Sequence, residues 1–371
     1  MLALVDALLP NGHRSGVEHS VVELVRALAR LAPEEVGYAC RASLLATEPW
    51  LRAKRVFVAP RWASGRLGRI AAEQFWLPAA VRKAQVRLLH GPAYVLPLGW
   101  QGRCVVTVYD LIALLHPEWT KPSNALHFRL LVPRSVRKAD MVIAPSLFVA
   151  DEIAENLRRT GRIRVVHLGV REVFREAAED EEVDSFRRSF GLGRPYFAVV
   201  GNIEPKKNLR AVVKAFEIVA SQLDHELVVV GRFGWRWEED VRAMQEGSVA
   251  ARIRFLGPLS DHDLRACYAG CTALIQFSLY EGFGLTPLEA MACGAAAVVS
   301  DGGALPETAG PGAMVVPLDG GPEALAAALV RLAEDTQFRA DLVARGRQWS
   351  QRFTWAGHAE RVLQVYEMLA Q

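Results

Sequence analysis

Short apolar, β-branched runs alternate with amphipathic stretches along the whole chain. A run of four or five apolar residues bounded by Gly, Pro or charge reads as a buried strand. Apolar positions recurring every three or four residues read as a helix packed on one face. In the first half the pattern predicts strands at Leu2–Val5, Val56–Val58, Arg87–His90, Cys104–Val108, Met141–Ala144 and Ile163–His167, with helices between them such as Val17–Leu31 and Leu147–Leu157. In the second half it predicts strands at Tyr196–Val200, Leu227–Val230, Ile253–Phe255, Ala273–Phe277 and Ala296–Val299. These alternate with helices near Asn208–Leu223, Trp235–Gln245, Asp261–Ala269 and Leu285–Cys293. Strict alternation of this kind is the signature of α/β domains with doubly wound parallel sheets.

The acidic, poorly apolar segment Arg175–Asp184 separates the two series, and Gly191-Leu192-Gly193-Arg194-Pro195 restarts the strand pattern. This segment is the expected linker between a first domain, residues 1–175, and a second, residues 190–353. The stretch near 354–371 is a candidate helix for packing back on the first. At 371 residues the chain suits two cores better than one. Two such sheets are expected to present their strand carboxyl ends to a shared crevice, where ligands of open α/β sheets bind.

Composition narrows the class. With 51% hydrophobic and 23% charged residues the chain has an ordinary globular make-up, and no apolar run nears the roughly 20 residues that span a bilayer. The N-terminal stretch carries Asp6 and has no basic lead, so it reads as a first strand and not as a signal peptide. Five scattered cysteines, Cys40, Cys104, Cys267, Cys271 and Cys293, have neither disulfide-framework nor zinc spacing, which suits a reducing cytoplasm. Net charge is only +3 but lopsided: residues 1–175 hold 25 Lys and Arg against 14 Asp and Glu, leaving 19 against 27 for the remainder. A basic half implies an anionic partner. Arg52, Lys54, Arg55, Arg61, Arg66 and Arg69, interleaved with Phe57, Trp62 and Leu67, suit an anionic membrane surface, and equally suit a solvated loop. No nucleic-acid-binding module is recognisable.

Candidate chemistry concentrates in three segments that end strands or open helices. Gly201-Asn202-Ile203-Glu204-Pro205-Lys206-Lys207-Asn208 places two ammonium groups beside a helix start, where they can hold a diphosphate and neutralise its charge as it leaves. Glu281-Gly282-Phe283-Gly284-Leu285-Thr286-Pro287-Leu288-Glu289 sets two carboxylates eight residues apart around a Gly turn that opens a helix, an anion-friendly N-terminus flanked by acceptors for sugar hydroxyls. Ser300-Asp301-Gly302-Gly303-Ala304-Leu305-Pro306-Glu307 is a further strand-to-turn passage with a carboxylate. Singly each is weak, since an E-x7-E spacing arises often by chance.

Together and in this order they resemble glycosyltransferase family 4, retaining nucleotide-sugar transferases of the GT-B fold, in which two Rossmann-like domains face a central cleft. Phe255-Leu256-Gly257-Pro258-Leu259, Val106-Thr107-Val108-Tyr109-Asp110-Leu111, Leu115-His116-Pro117-Glu118-Trp119, Ala144-Pro145-Ser146 and Phe353-Thr354-Trp355 extend the likeness over nearly the whole chain. The resemblance implies an acceptor-binding first domain and a donor-binding second. It puts Glu289 on the donor ribose, Glu281 toward the transferred sugar, and the backbone amides of Gly282, Phe283, Gly284, Leu285 and Thr286 against sugar or phosphate. Lys206 and Lys207 stand where the family often has Arg-Lys and would grip the diphosphate, with Asn202 in the same turn. Gly16 matches a glycine whose N–H approaches the diphosphate.

Many members carry His where this chain has Tyr109. That leaves Asp110 as the polar group expected to reach the acceptor hydroxyl, with Tyr109 beside it and His90 a further candidate on the acceptor side. Ala296, where a Pro is common, is expected to matter structurally only. Asp261-His262-Asp263 follows Ser260 and reads as a capped helical turn instead of a metal site, so Lys206, Lys207 and helix N-termini are expected to neutralise the leaving group without metal. No cofactor is implied beyond the donor, GDP-mannose or a UDP-hexose. With no obvious nucleophile below the sugar, same-face substitution is the expected route to retention. Within the family, the text around Leu115–Trp119 and Gly201–Asn208 resembles bacterial mannosyltransferases of O-antigen and exopolysaccharide assembly, with a lipid-linked or polysaccharide acceptor and a cytoplasmic or peripheral inner-membrane location. A catalytically silent sugar-nucleotide binder and a sugar-nucleotide epimerase remain alternatives. An NAD dehydrogenase is disfavoured by the spacing of Gly12 and Gly16.

Overall fold

The computed structural model describes residues 1–9, 15–159 and 161–371; Gly12 lies outside them. Strands β1 Ala3–Ala7, β2 Val36–Cys40, β3 Val56–Val58, β4 Leu88–Gly91, β5 Arg103–Thr107, β6 Met141–Ala144 and β7 Ile163–Val165 form one sheet, ordered β3-β2-β1-β4-β5-β6-β7. Strands β8 Tyr196–Val200, β9 Glu226–Val230, β10 Ile253–Gly257, β11 Ala273–Gln276, β12 Ala297–Ser300 and β13 Met314–Val316 form the other, ordered β10-β9-β8-β11-β12-β13. Every recorded strand pairing is parallel, for example Tyr196 beside Glu226 and Ala273 beside Phe197. Both sheets reverse direction of growth once, between β1 and β4 and between β8 and β11, and such a switch point leaves a crevice beyond the strand ends.

Contacts divide the chain into two units, residues 1–115, 122–169 and 354–371 in one, residues 116–121 and 170–353 in the other. The chain therefore crosses near Gly169 and returns near Thr354. The acidic segment read as a linker is not one: Asp180–Phe190 is a helix of the second unit. Its polarity is explained by how it is held. Only Phe186 is buried along it, and Glu182 anchors it by accepting two hydrogen bonds from Arg265 Nη2 at 2.7 and 2.8 Å.

In the first unit, helix Trp355–Ala370 packs against helix Gly16–Leu31 and buries Val362, Val365 and Tyr366. Among the described residues, β1, β2, β4 and β6 are buried along their whole length, as expected for a sheet covered on both faces. In the second unit, helices Leu209–Val219 and Gly321–Glu334 lie together over one face, and Phe197, Phe216, Leu227, Ile275 and Leu329 fill the space below. The predicted helix over Trp235–Gln245 begins only at Glu238, which leaves Trp235 in the preceding loop. The aromatic edge in that loop is Phe233, which lies 4.9 Å from Phe255 and 4.5 Å from Trp237 between ring centroids.

Candidate functional site

The switch point of the second sheet gathers the three motif segments. After β8 the chain turns through Gly201 and a single 3-10 turn, Pro205–Lys207, before helix Leu209–Val219 starts at Asn208. After β11 it runs through Ser278 and Glu281 into helix Leu285–Ala292, whose N-cap is Gly284. The backbone laces these turns together: Leu279 N–H donates to Lys206 O at 2.7 Å, and Ala304 N–H donates to Glu281 O at 2.8 Å.

The third motif is the buttress of the second. A Cβ on Gly302 would lie 2.3 Å from Ser278 O, and one on Gly303, at φ 67°, would lie 2.4 Å from Glu281 O. Only a bare backbone fits there. Ser300 Oγ completes the seam by donating to Ser278 O at 2.5 Å.

At the centre is Glu281. Its Oε1 accepts from Lys207 Nζ at 2.7 Å, Gln276 Nε2 at 2.8 Å and Ser278 Oγ at 3.0 Å, while Lys206 Nζ stands 3.8 Å from Oε2. Burial alone would raise this carboxyl, but the charges of Lys207 and Lys206 and the hydrogen bonds from Lys207 and Ser278 outweigh it and hold the pKa at about 2. The structure thus brings the adjacent Lys206 and Lys207 together with Glu281, which lies 74 residues beyond Lys207. Asn202 is exposed in the same turn.

Glu289 is nearly buried and takes a partner that sequence reading missed. Arg171, just past the crossing at Gly169, donates from Nε to Glu289 Oε1 at 3.3 Å, and its Nη1 donates to both carboxylate oxygens of Asp261 at 2.8 Å. Asp261 is the first residue of helix Asp261–Gly270, capped as expected by Ser260, whose Oγ accepts from Asp263 N–H at 3.1 Å. Nothing in a lone Arg after an apolar run signals this tie. Gln276 and Ser278 had a signal that went unread: two polar side chains at the end of an apolar strand, immediately before Glu281.

In the first unit, Asp110 follows β5 with both oxygens engaged. Ile112 N–H donates to Oδ1 at 3.2 Å and Tyr94 OH to Oδ2 at 2.9 Å. Tyr109 turns inward at 7% exposure, edge-on to Tyr94, and burial pushes its phenol up. The acceptor-side reading of His90 is corrected by the structure. His90 is fully buried, with Nδ1 2.6 Å from Tyr366 OH and Nε2 2.8 Å from Thr107 Oγ1. Desolvation, helped by the nearby His358, drives its pKa down to about 3, so it is a neutral core hydrogen-bonder. Gly16 is exposed as the first residue of helix Gly16–Leu31, with open space where a Cβ would stand.

The basic segment folds as a short turn, Arg61–Ala63, and a helix, Gly65–Ala71, that runs on into a π turn, Ala72–Trp76. Arg61, Arg66, Trp62, Leu67 and Phe75 are exposed, Leu67 at 82% and Phe75 at 77%. Arg66 donates to Ser123 Oγ and O at 2.9 and 2.8 Å, which places exposed Leu126 and Leu130 on the neighbouring helix Pro122–Lys138. Arg69 departs from the expected surface role: it lies 3.3 Å from Glu73, a buried carboxyl of the π turn.

Family models match almost end to end. Residues 14–172 match glycosyltransferase family 4, and residues 180–349 match the glycosyl transferases group 1. The chain is 27% identical over 296 residues to O-antigen chain mannosyltransferase B of Escherichia coli, spanning 78% of this chain and 76% of that protein. It is 30% identical over 282 residues to the serotype-specific mannosyltransferase WbdA of Escherichia coli, spanning 73% of this chain but only 34% of that longer protein. Among solved structures, Anabaena Alr3699/HepE in complex with UDP-glucose superposes with a TM-score of 0.78 at 18% identity, covering 99% of each chain. That likeness assigns the GT-B fold.

Proposed function

Because this chain belongs to glycosyltransferase family 4, we propose that it moves mannose from GDP-mannose to a lipid-linked or polysaccharide acceptor of O-antigen type, with retention at the anomeric carbon. The observation that carries the reading is the Lys206–Lys207–Glu281 cluster at the switch point of the second sheet. Two ammonium groups there suit a nucleoside diphosphate leaving group, and a carboxylate held ionised beside them suits a sugar hydroxyl. Support for mannose comes from both relatives, each named a mannosyltransferase, and support for an O-antigen acceptor from the first, whose name carries it.

In this reading Lys206 and Lys207 neutralise the diphosphate without a metal or other cofactor. Glu289 binds ribose, Asn202 and the turn from Gly282 to Thr286 line the donor, and Asp110 serves the acceptor hydroxyl. The acceptor oxygen forms the new bond to the anomeric carbon on the face the phosphate oxygen leaves, and that phosphate oxygen takes the acceptor proton. The basic and apolar surface around Arg61, Trp62, Arg66 and Leu67 complements an anionic membrane, and among the described residues no helix is long and apolar enough to cross one.

A screen of sugar nucleotides for released diphosphate tests the reading. GDP-mannose is expected to be turned over fastest and to give a product with the donor's configuration. Glu289→Ala should weaken donor binding by about 1–3 kcal/mol, and Asp110→Asn should stop transfer while leaving donor affinity intact. Preference for another donor overturns mannose. A glycosyl group trapped on any carboxylate overturns the same-face step.

A further inference from the structure

Gln276 is 3% exposed and Ser278 fully buried. A buried amide or hydroxyl costs about 1–3 kcal/mol unless its polar atoms are paired. Here the pairing closes on a single atom. Gln276 Nε2 donates to Ser278 Oγ at 2.7 Å and to Glu281 Oε1 at 2.8 Å, and Ser278 Oγ donates to the same Oε1 at 3.0 Å. Lys207 Nζ is the third donor to that oxygen, at 2.7 Å. A carboxylate oxygen offers two lone pairs, so Oε1 is saturated. Oε2 has Lys206 at 3.8 Å, beyond hydrogen-bond length.

The two lysines are the groups a diphosphate draws. Once they turn to phosphate, Glu281 loses its counter-ions while staying buried, and a buried carboxylate stripped of partners is strongly disfavoured. Gln276, on β11, and Ser278, two residues on, are fixed by the strand and by the Ser300 seam, so they stay.

Resting on the reading of Glu281 as the carboxylate toward the donor sugar, we propose that Gln276 and Ser278 are positioning residues for that carboxylate. They pin Oε1 while the lysines exchange Glu281 for diphosphate, and so present Oε2 to a hydroxyl of the sugar. The pair thereby favours the intact sugar nucleotide over the bare nucleoside diphosphate, which has no hydroxyl to offer at that place.

Calorimetric titration of the full chain with GDP-mannose, UDP-glucose, GDP and UDP tests this. Gln276→Leu should weaken the sugar nucleotide about tenfold and the matching diphosphate less than about twofold. Ser278→Ala should move the same ratio, and Ser278→Thr, which keeps the hydroxyl, should restore it. Equal weakening of both ligands marks a merely structural role and overturns the inference. If Gln276→Leu does not fold, the two Ser278 variants decide alone. Glu281→Gln separates the two layers. If it leaves the preference for sugar nucleotide intact, or if neither sugar nucleotide binds the wild-type chain, the reading of the site falls. If it abolishes the preference while Gln276→Leu and Ser278→Ala do not, only the positioning role falls.

Discussion

Buried ionisable residues divide into those whose surroundings favour the charged form and those whose surroundings oppose it. Glu281 is kept ionised by lysines, whereas Asp6 and Glu73 in the first unit go the other way. Burial raises Asp6 to about 6 against the opposing Leu8 N–H and the Arg69 charge. Burial and the Asp6 charge raise Glu73 to about 8 against Arg69. Arg41, which donates to Leu9 O at 3.1 Å, is the other charge beside Arg69. A carboxyl whose folded pKa lies above its unfolded value holds its proton in the folded state alone at pH values between the two. Stability is therefore full below the ordinary pKa of 4.5 and is lost as pH rises through about 8. Between pH 7.0 and 8.5, above the ordinary histidine range, thermal unfolding should shift down, with a loss of up to about 1.4 kcal/mol per pH unit. Glu73→Gln should flatten that slope, and an unchanged slope in the variant would remove Glu73 as its source.

Strands were the legible elements, and the exceptions have physical reasons. β2, Val36–Cys40, went unread because Gly37 and Ala39 dilute its apolar signal, and Gly37 leaves the space that the Met1 side chain fills: a Cβ there would meet Met1 Sδ at 2.5 Å. β13 is three residues long and sits at the sheet edge. Helix Asp180–Phe190 went unread because its apolar stripe, Val183, Phe186 and Phe190, is narrow and set among charges, one of which, Glu182, ties it to Arg265. Within the site, Lys206, Lys207 and Glu281 were legible from their motifs. Arg171, Gln276 and Ser278 were not, because their roles depend on which strand ends become neighbours. The seam between the Gly302–Gly303 turn and the Glu281 turn is an element-scale prediction. Gly302→Ala should cost about 1–3 kcal/mol in thermal unfolding and weaken donor binding, whereas Gly193→Ala, with nothing within 4 Å of its Cβ, should change neither. Equal melting of the two variants would show that the seam yields freely.

For the molecule as a whole, charge and connectivity matter most. The basic excess of residues 1–175 is expressed on a surface where Arg61 and Arg66 stand among exposed Trp62, Leu67, Phe75, Leu126 and Leu130. On vesicles containing phosphatidylglycerol at low salt, Arg61→Ala with Arg66→Ala should reduce binding about fivefold per charge, near 1 kcal/mol each, and the effect should shrink as salt rises. Binding that ignores both substitutions would return this surface to plain solvent exposure.

Connectivity adds a different constraint, set by the return of the chain at Thr354. The second unit's main stretch, residues 170–353, is continuous, but the first unit includes Trp355–Ala370, whose Tyr366 hydroxyl meets buried His90. During synthesis the first half emerges early and then waits with the Tyr366 side of its core open. The later-made unit has all its main stretch in hand first, so the order of completion runs opposite to the order of translation.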